Sequence, residues 1–169
     1  PTFWSNPGYE LGSLGAGLIG LPAEQEDGSA GTLTQRLGNA ALLPAPQPSL
    51  RPAARALQSA LLAAELTKHY SKEQILTWYL NSAYFGLWAY GIDAAALTYF
   101  GKHALHLPLA ESALLAAAAQ DPEPSPVQVP EEARLRQREV LQRMTELGYI
   151  SPEQERQAVD APQTLDSQA

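Results

Sequence analysis

No stretch of this chain alternates apolar and polar residues for long enough to predict a half-buried β-strand. Apolar residues recur instead at intervals of three and four, as they do on one face of an α-helix. Leu33, Leu37 and Ala41 follow this spacing, and prolines and glycines separate their run from those that come after it. We therefore expect an all-α fold, with an irregular Gly-rich segment near the N-terminus.

Proline, glycine and capping residues predict where the helices begin and end. Ser71 and Gln74 have the spacing of a capping box, in which each side chain bonds the other's free backbone N–H group, so a helix should begin at Lys72. In chain order, helices are expected from Thr32 to before Pro44, from Pro52 to about Tyr70, from Lys72, from Ile92 to Phe100 with Gly101 as its left-handed cap, from Leu109 to Gln120, from Pro130 to Leu147, and after Ser151.

An apolar stripe of Ile75, Leu76, Tyr79, Leu80 and Ala83 follows the start at Lys72, and two further helices have apolar positions that predict a buried face. The faces are Leu57, Leu61 and Ala64 on the second helix, and Leu135, Val140, Leu141, Met144 and Leu147 on the sixth. The folded domain is expected to cover residues 1–162, and residues 163–169 to fray.

Composition excludes several classes of protein. The chain has no cysteine, so disulfide frameworks, thiolate metal sites and cysteine nucleophiles are ruled out. A net charge of −7 argues against nucleic-acid binding, which needs a dense basic face. Between positions 51 and 110, however, five basic residues outnumber three acidic ones. An anionic ligand would bind there, although chance sampling of few charges produces such a bias too.

Residues 11–23 (LGSLGAGLIGLPA) carry no charge and include four glycines. At 13 residues the segment is shorter than the roughly 20 that a membrane-spanning helix requires. It is expected either to enter a membrane interface or to form a flexible loop that packs on the core.

Three segments resemble, in order and spacing, the motifs of the family-51 glycosyltransferases, the peptidoglycan transglycosylase domains of penicillin-binding proteins. They are residues 31–37 (GTLTQRL), 72–81 (KEQILTWYLN) and 91–102 (GIDAAALTYFGK). The resemblance covers nearly the whole chain and implies a lysozyme-like helical fold. It also implies that residues 3–8 (FWSNPG) follow the family's first-motif Glu-Asp pair, which would lie immediately before Pro1. Glu26 and Asp27 lack the aromatic residue of that motif and are interpreted as a solvated loop.

The resemblance assigns the lipid diphosphate to hydroxyl, amide and cationic side chains. Thr32, Thr34 and Gln35 match the second motif, in which Gly31 stands where Ser is usual and Asn39 where Lys is usual. These three matching side chains are the first group of expected substrate-binding residues.

The next helix carries the cationic part of the expected site. Arg51 and Arg55 match two family arginines, and Ser59 occupies the position of the family's second Glu. Their spacing of four places all three on one helix face, where two guanidinium groups can grip phosphate oxygens bidentately. Lys72 and Asn81 match the fourth motif. The family implies a divalent metal, Mg²⁺, which Ser59 puts in doubt because it replaces a carboxylate.

Each assignment has a plainer alternative. Arg51 and Arg55 also suit a solvated helix face, Lys72 a capping position and Asn81 a helix end. Glu65 cannot replace a Glu at position 59, because six residues turn a helix by about 240°. The remaining candidates are interpreted structurally: His103 and His106 as surface residues rather than a metal pair, and Trp78, Tyr79 and Trp88 as core or membrane-facing aromatics rather than sugar platforms.

The implied activity is polymerisation of lipid II into glycan strands on the outer face of the bacterial cytoplasmic membrane. The expected partners are lipid II, the nascent glycan strand, the membrane interface through residues 11–23, and a transpeptidase domain if the parent protein carries one. Because the chain as written lacks both family carboxylates, it is expected to be inactive. The alternatives are a non-catalytic lipid II-binding or scaffold module and a lysozyme-type hydrolase, which would need an acidic pair that the motif helices lack.

Overall fold

The computed structural model describes residues 3–9, 31–42, 52–162 and 165. This described part of the chain forms seven α-helices, one 3₁₀ turn at Ala104–His106 and a single antiparallel bridge between Tyr84 and Tyr90. The prediction of an all-α fold is confirmed. The chain divides into two compact units, Pro1–Leu80 and Asn81–Ala169.

The helices begin and end within two residues of their predicted positions. They are α1 (Leu33–Leu42), α2 (Pro52–His69), α3 (Lys72–Ser82), α4 (Ile92–Phe100), α5 (Leu109–Ala118), α6 (Pro130–Glu146) and α7 (Pro152–Asp160). None of the helices in the described ranges combines the length and the apolar composition that crossing a membrane requires.

Reciprocal capping boxes begin α1, α3 and α7, and the one at α1 belongs to the candidate site. At α3 the Ser71 N–H donates to Gln74 Oε1 at 2.9 Å, and the Gln74 N–H donates to Ser71 Oγ at 3.3 Å. Ser151 and Gln154 make the same pair of bonds at α7, with distances of 2.8 and 3.2 Å. These bonds satisfy N–H groups that have no partner within the helix, and they confirm both predicted starts.

In the first unit α1 packs against α2, and a glycine allows the close approach. A Cβ atom at Gly38 would lie 3.1 Å from a methyl carbon of Leu62 and 3.4 Å from one of Leu66. An alanine at this position would require the side chain of Leu62 to shift by a few tenths of an ångström.

The buried face of α2 differs from the one that its leucines predict. Ser59, Ala60 and Ala63 are buried, whereas Leu57 and Leu61 are 51% and 60% exposed. The prediction that these two leucines are buried is wrong. Each precedes a buried small residue by two positions, which turns it about 200° away on the helix. The α2 residues that lie against Gly38 are Leu62 and Leu66, so the packed face of the helix is not the one that the spacing of Leu57 and Leu61 predicts.

Two apolar clusters form among the described residues of the second unit, and α5 contributes to both. The first contains Phe85, Ala89, Ala95, Ala96, Tyr99 and Leu115. The second contains Ala110, Ala113, Leu141 and Ala158. Leu165 lies in the stretch that is expected to fray, and its side chain packs against the first cluster.

The buried line of α6 runs through Ala133, Gln137 and Leu141, at intervals of four residues. Leu141 is fully buried as predicted, but Leu135 is 58% exposed, which contradicts the predicted face. The amide of Gln137 explains the difference, because its Nε2 donates to the carbonyl of Ala110 in α5 at 2.6 Å. A satisfied polar side chain therefore occupies the interface, and Leu135 lies about 200° around the helix from Ala133.

Residues 84–90 form a tight turn between α3 and α4 that we term the aromatic hairpin. Its base is closed by the Phe85 N–H donating to the Ala89 carbonyl at 3.0 Å and the Ala89 N–H donating to the Gly86 carbonyl at 2.9 Å. The Tyr99 hydroxyl donates to the Phe85 carbonyl at 2.7 Å. Burial raises the pKa of Tyr99 to about 12, so this hydroxyl remains a donor at physiological pH.

Candidate functional site

The N-terminal segment of the first unit is shaped by a turn at Asn6. The Asn6 Oδ1 accepts a hydrogen bond from the Gly8 N–H at 2.9 Å, as in an Asx turn. Gly8 has a φ of +93°, and a Cβ atom there would overlap the Thr67 hydroxyl and lie 2.8 Å from the Ala63 carbonyl oxygen. A glycine is therefore required where this turn meets α2.

Thr32 and Gln35 form a capping box at the start of α1. The Thr32 N–H donates to Gln35 Oε1 at 2.9 Å, and the Gln35 N–H donates to Thr32 Oγ1 at 3.2 Å. The Thr32 hydroxyl also donates to the carbonyl of Gly8. Of these two side chains that the resemblance assigns to substrate, Thr32 joins the helix start to the N-terminal turn, and Gln35 completes the capping box. Their T-x-x-Q spacing is the sequence signal of this box.

Lys72, at the start of α3, reaches the same turn. Its Nζ donates to Asn6 Oδ1 at 3.2 Å and lies 5.0 Å from the centroid of the Phe3 ring. Partial burial lowers the pKa of Lys72 below its ordinary value. Among the described residues no carboxylate pairs with this ammonium group, and two of its three N–H donors remain after the bond to Asn6.

The other described candidate cation is Arg55, on α2. Its side chain is half-buried, and no carboxylate in the described ranges lies within ion-pair distance of it. Ser59, one turn further along, is 6% exposed, so the expected common face of Arg55 and Ser59 is present. Arg51 lies outside the described residues, as do residues 11–23.

Three buried polar oxygens in the first unit have no hydrogen-bond partner among the described atoms. They are Thr34 Oγ1, Asn39 Oδ1 and Thr67 Oγ1. Thr34 is completely buried, so its hydroxyl contacts a ligand only if its surroundings move. Leaving a buried hydroxyl or carbonyl oxygen without a hydrogen bond costs about 1–3 kcal/mol of folding free energy.

The remaining candidates lie in the second unit. Asn81 is exposed near the end of α3, and its carbonyl oxygen would be 2.8 Å from a Cβ atom at Gly91. His103 and His106 are exposed, and His103 Nδ1 lies 3.0 Å from Asp93 Oδ2. Within the described ranges no three His, Asp or Glu side chains are grouped as metal ligands.

Sequence reasoning missed Asn6, Phe3 and Gly8 as neighbours of the candidate residues. The Asn-Pro-Gly sequence predicts a turn by itself, so the conformation was detectable. The contact between Asn6 and Lys72 was not, because it joins residues 66 positions apart. The described site thus consists of the Lys72 ammonium group, the N-terminal turn at Asn6 and the capped start of α1.

Comparison with known proteins identifies the class of this helical domain. The family model for transglycosylases matches residues 1–145. Penicillin-binding protein 1A of Aquifex aeolicus (strain VF5) is 38% identical over 166 residues, which cover 97% of this chain and 22% of that protein. A putative transglycosylase of Cupriavidus necator is 38% identical over 151 residues, or 88% of this chain and 63% of that protein.

A solved structure agrees with these matches. The crystal structure of penicillin-binding protein 1A from Haemophilus influenzae superimposes with a TM-score of 0.54 and 36% sequence identity, covering 60% of this chain and 16% of that chain. The chain belongs to the transglycosylase family, as its motifs indicate. It spans about a fifth of the length of the penicillin-binding proteins that it matches.

Proposed function

We propose that this domain binds lipid II, the lipid-linked sugar diphosphate from which peptidoglycan glycan strands are polymerised. The observation that carries the proposal is the pairing state of two cations. Lys72 and Arg55 have no carboxylate partner in the described part of the first unit, whereas Lys68 lies 3.8 Å from Glu65. A diphosphate supplies the negative oxygens that such unpaired ammonium and guanidinium groups bind.

Sugar transfer from a diphosphate needs a base for the attacking hydroxyl, stabilisation of the oxocarbenium-like centre, and cations for the leaving group. The described residues offer only the last of these. Ser59 stands where the family resemblance places a carboxylate, and Glu65 is exposed and lies 3.2 Å from His69. A general base contributes about 10²–10⁴-fold in rate, so we propose that the described residues by themselves support negligible polymerase activity.

The described donor set does not suit the Mg²⁺ that the family resemblance implies. Mg²⁺ prefers carboxylate and phosphate oxygens, and Ser59 offers a neutral hydroxyl at the expected ligand position. The proposed binding mode therefore relies on cations rather than on a metal. Arg55 lies in the first turn of α2 and Lys72 follows the end of that helix, so the two side chains contact different parts of the substrate.

Binding is tested with a short-chain lipid II analogue that stays in solution without a membrane. Lys72→Ala and Arg55→Ala should each weaken binding by about tenfold, because each removes a charge-assisted hydrogen bond. Lys68→Ala removes an exposed, paired lysine and serves as the control. Equal affinities for all three variants and the parent chain would refute the assignment. Arg51→Ala extends the test to the residue outside the described ranges.

A non-catalytic binding or scaffold module is the second candidate, and buried Ser59 is the observation that favours it. The two are separated by adding the Glu-Asp pair before Pro1 and assaying glycan strands on a gel. Polymerisation by this extended chain with Ser59 would identify an enzyme domain. Activity only after Ser59→Glu would identify a binding module, which in the parent protein would act on the outer face of the membrane beside a transpeptidase domain and the growing glycan strand.

A further inference from the structure

The tip of the aromatic hairpin is held in an unusual backbone conformation. Leu87 has a φ of 50° and Trp88 a φ of 61°, in the left-handed region that residues with side chains rarely adopt. The base of the hairpin holds this shape, because Phe85 and Ala89 are buried and hydrogen-bonded to each other. Such conformations persist only where the surrounding structure imposes them, and they are frequent at binding sites.

Core packing does not account for the residue at the tip. Trp88 is 86% exposed, and Tyr90 beside it is 60% exposed. Glycine or asparagine would adopt the same backbone with less strain. An indole that is both strained and exposed requires another explanation.

The charge pattern around the hairpin is equally distinctive. No charged residue occurs from Gln74 to Ile92, although residues 81–169 contain twelve acidic and six basic side chains. A carboxylate contacts the hairpin at its base, where the Tyr84 hydroxyl donates to Glu123 at 2.8 Å. The tip can therefore leave water without removing one of its own charges from solvent.

The size of the exposed patch indicates what can cover it. Aromatic side chains bury roughly 150–250 Å² each, so Trp88 and Tyr90 fall well short of the roughly 800 Å² that each partner contributes to a stable protein interface. A second copy of the chain or a protein partner would need more surface. A lipid bilayer needs no reciprocal surface, and Trp and Tyr are the residues enriched at its interface.

We propose that the aromatic hairpin inserts Trp88, flanked by Tyr90, into the interface of a lipid bilayer. The inference rests on the proposed function in one respect, because a lipid-borne substrate places the domain at a membrane. The insertion itself is independent of catalysis and of the diphosphate site.

The test uses a Trp4→Phe/Trp78→Phe variant of the full chain, in which Trp88 is the remaining tryptophan. With phosphatidylcholine vesicles, Trp88 emission should shift to the blue, and brominated acyl chains should quench it. Vesicle partitioning of the Trp88→Ser variant should fall by about tenfold. Because any contribution from residues 11–23 is the same in both chains, the difference reports the hairpin.

Two control variants test whether the loss of partitioning comes from any exposed apolar side chain or from unfolding. Leu105→Ser removes an apolar side chain that is 91% exposed in the same unit, and it should leave partitioning unchanged. Trp88→Gly suits the positive φ and should lose partitioning while it melts at or above the temperature of the parent.

Absence of bromolipid quenching, or equal partitioning after Trp88→Ser, would overturn the proposal. A Trp88-dependent dimer in sedimentation without vesicles would identify a second copy as the occupant instead. A shift of Trp88 emission by soluble N-acetylglucosamine oligomers without vesicles would identify a sugar platform. Because the lipid II analogue binds in solution, its failure to bind with vesicle partitioning intact would refute the proposed function alone.

Discussion

Gly86→Ala should destabilise the second unit more than an ordinary substitution at a positive φ. Gly86 has a φ of +88°, and a Cβ atom there would lie 2.7 Å from the Pro122 carbonyl oxygen and 2.8 Å from the Tyr99 hydroxyl. The backbone strain costs about 1–2 kcal/mol. Displacing Tyr99 would also break its buried bond to the Phe85 carbonyl, which adds about 1–2 kcal/mol.

The matched control is Gly101→Ala. Gly101 has a φ of +64°, but no atom lies within 4 Å of the position that a Cβ atom would occupy, so this variant carries the strain alone. We expect a loss of unfolding free energy of about 3 kcal/mol for Gly86→Ala and about 1 kcal/mol for Gly101→Ala. Urea denaturation followed by circular dichroism measures both. Equal losses in the two variants would show that the close approach at Gly86 contributes nothing.

Three further predictions concern particular hydrogen bonds. Gln35→Ala removes half of the capping box of α1 and should lower the free energy of unfolding by about 1 kcal/mol in urea titration. Gln137→Leu removes the second donor to the Ala110 carbonyl, which the helical bond within α5 still engages, and it should cost about 1 kcal/mol in the same assay. The Ala104 N–H, and then His103, lower the pKa of Asp93 from 3.8. The resulting stabilisation is present above that value and is lost as the pH falls through the lower folded-state pKa. Asp93→Asn should therefore melt below the parent at neutral pH, and thermal melts should show the difference shrinking as the pH falls below 3.8.

Local patterns in the sequence determine most of the helices of this protein. The capping box at Ser71, the left-handed cap at Gly101 and the prolines at helix starts act through residues within one turn of each other. Such signals do not depend on the rest of the fold, so each predicted helix exists with its boundaries nearly unchanged. The family motifs are local in the same sense, and they identified the transglycosylase family without coordinates.

The candidate site was predictable only in part. Lys72 and Arg55 were expected to be cationic candidates, and the structure adds that no described carboxylate neutralises them. Thr32 and Gln35 carried two signals at once, since the same hydroxyl and amide suit a phosphate and a capping box. The sequence alone could not show that both side chains are used within the fold.

Tertiary structure alone decided which faces are buried and which distant residues meet. On α2, Leu62 and Leu66 lie against Gly38, whereas Leu57 is exposed. The turn at Asn6 receives Lys72 from 66 positions away, and the core beneath the aromatic hairpin holds Trp88 in a strained, exposed position. The physical reason is that helix formation depends on bonds between near neighbours, whereas burial depends on how closely separate segments can approach.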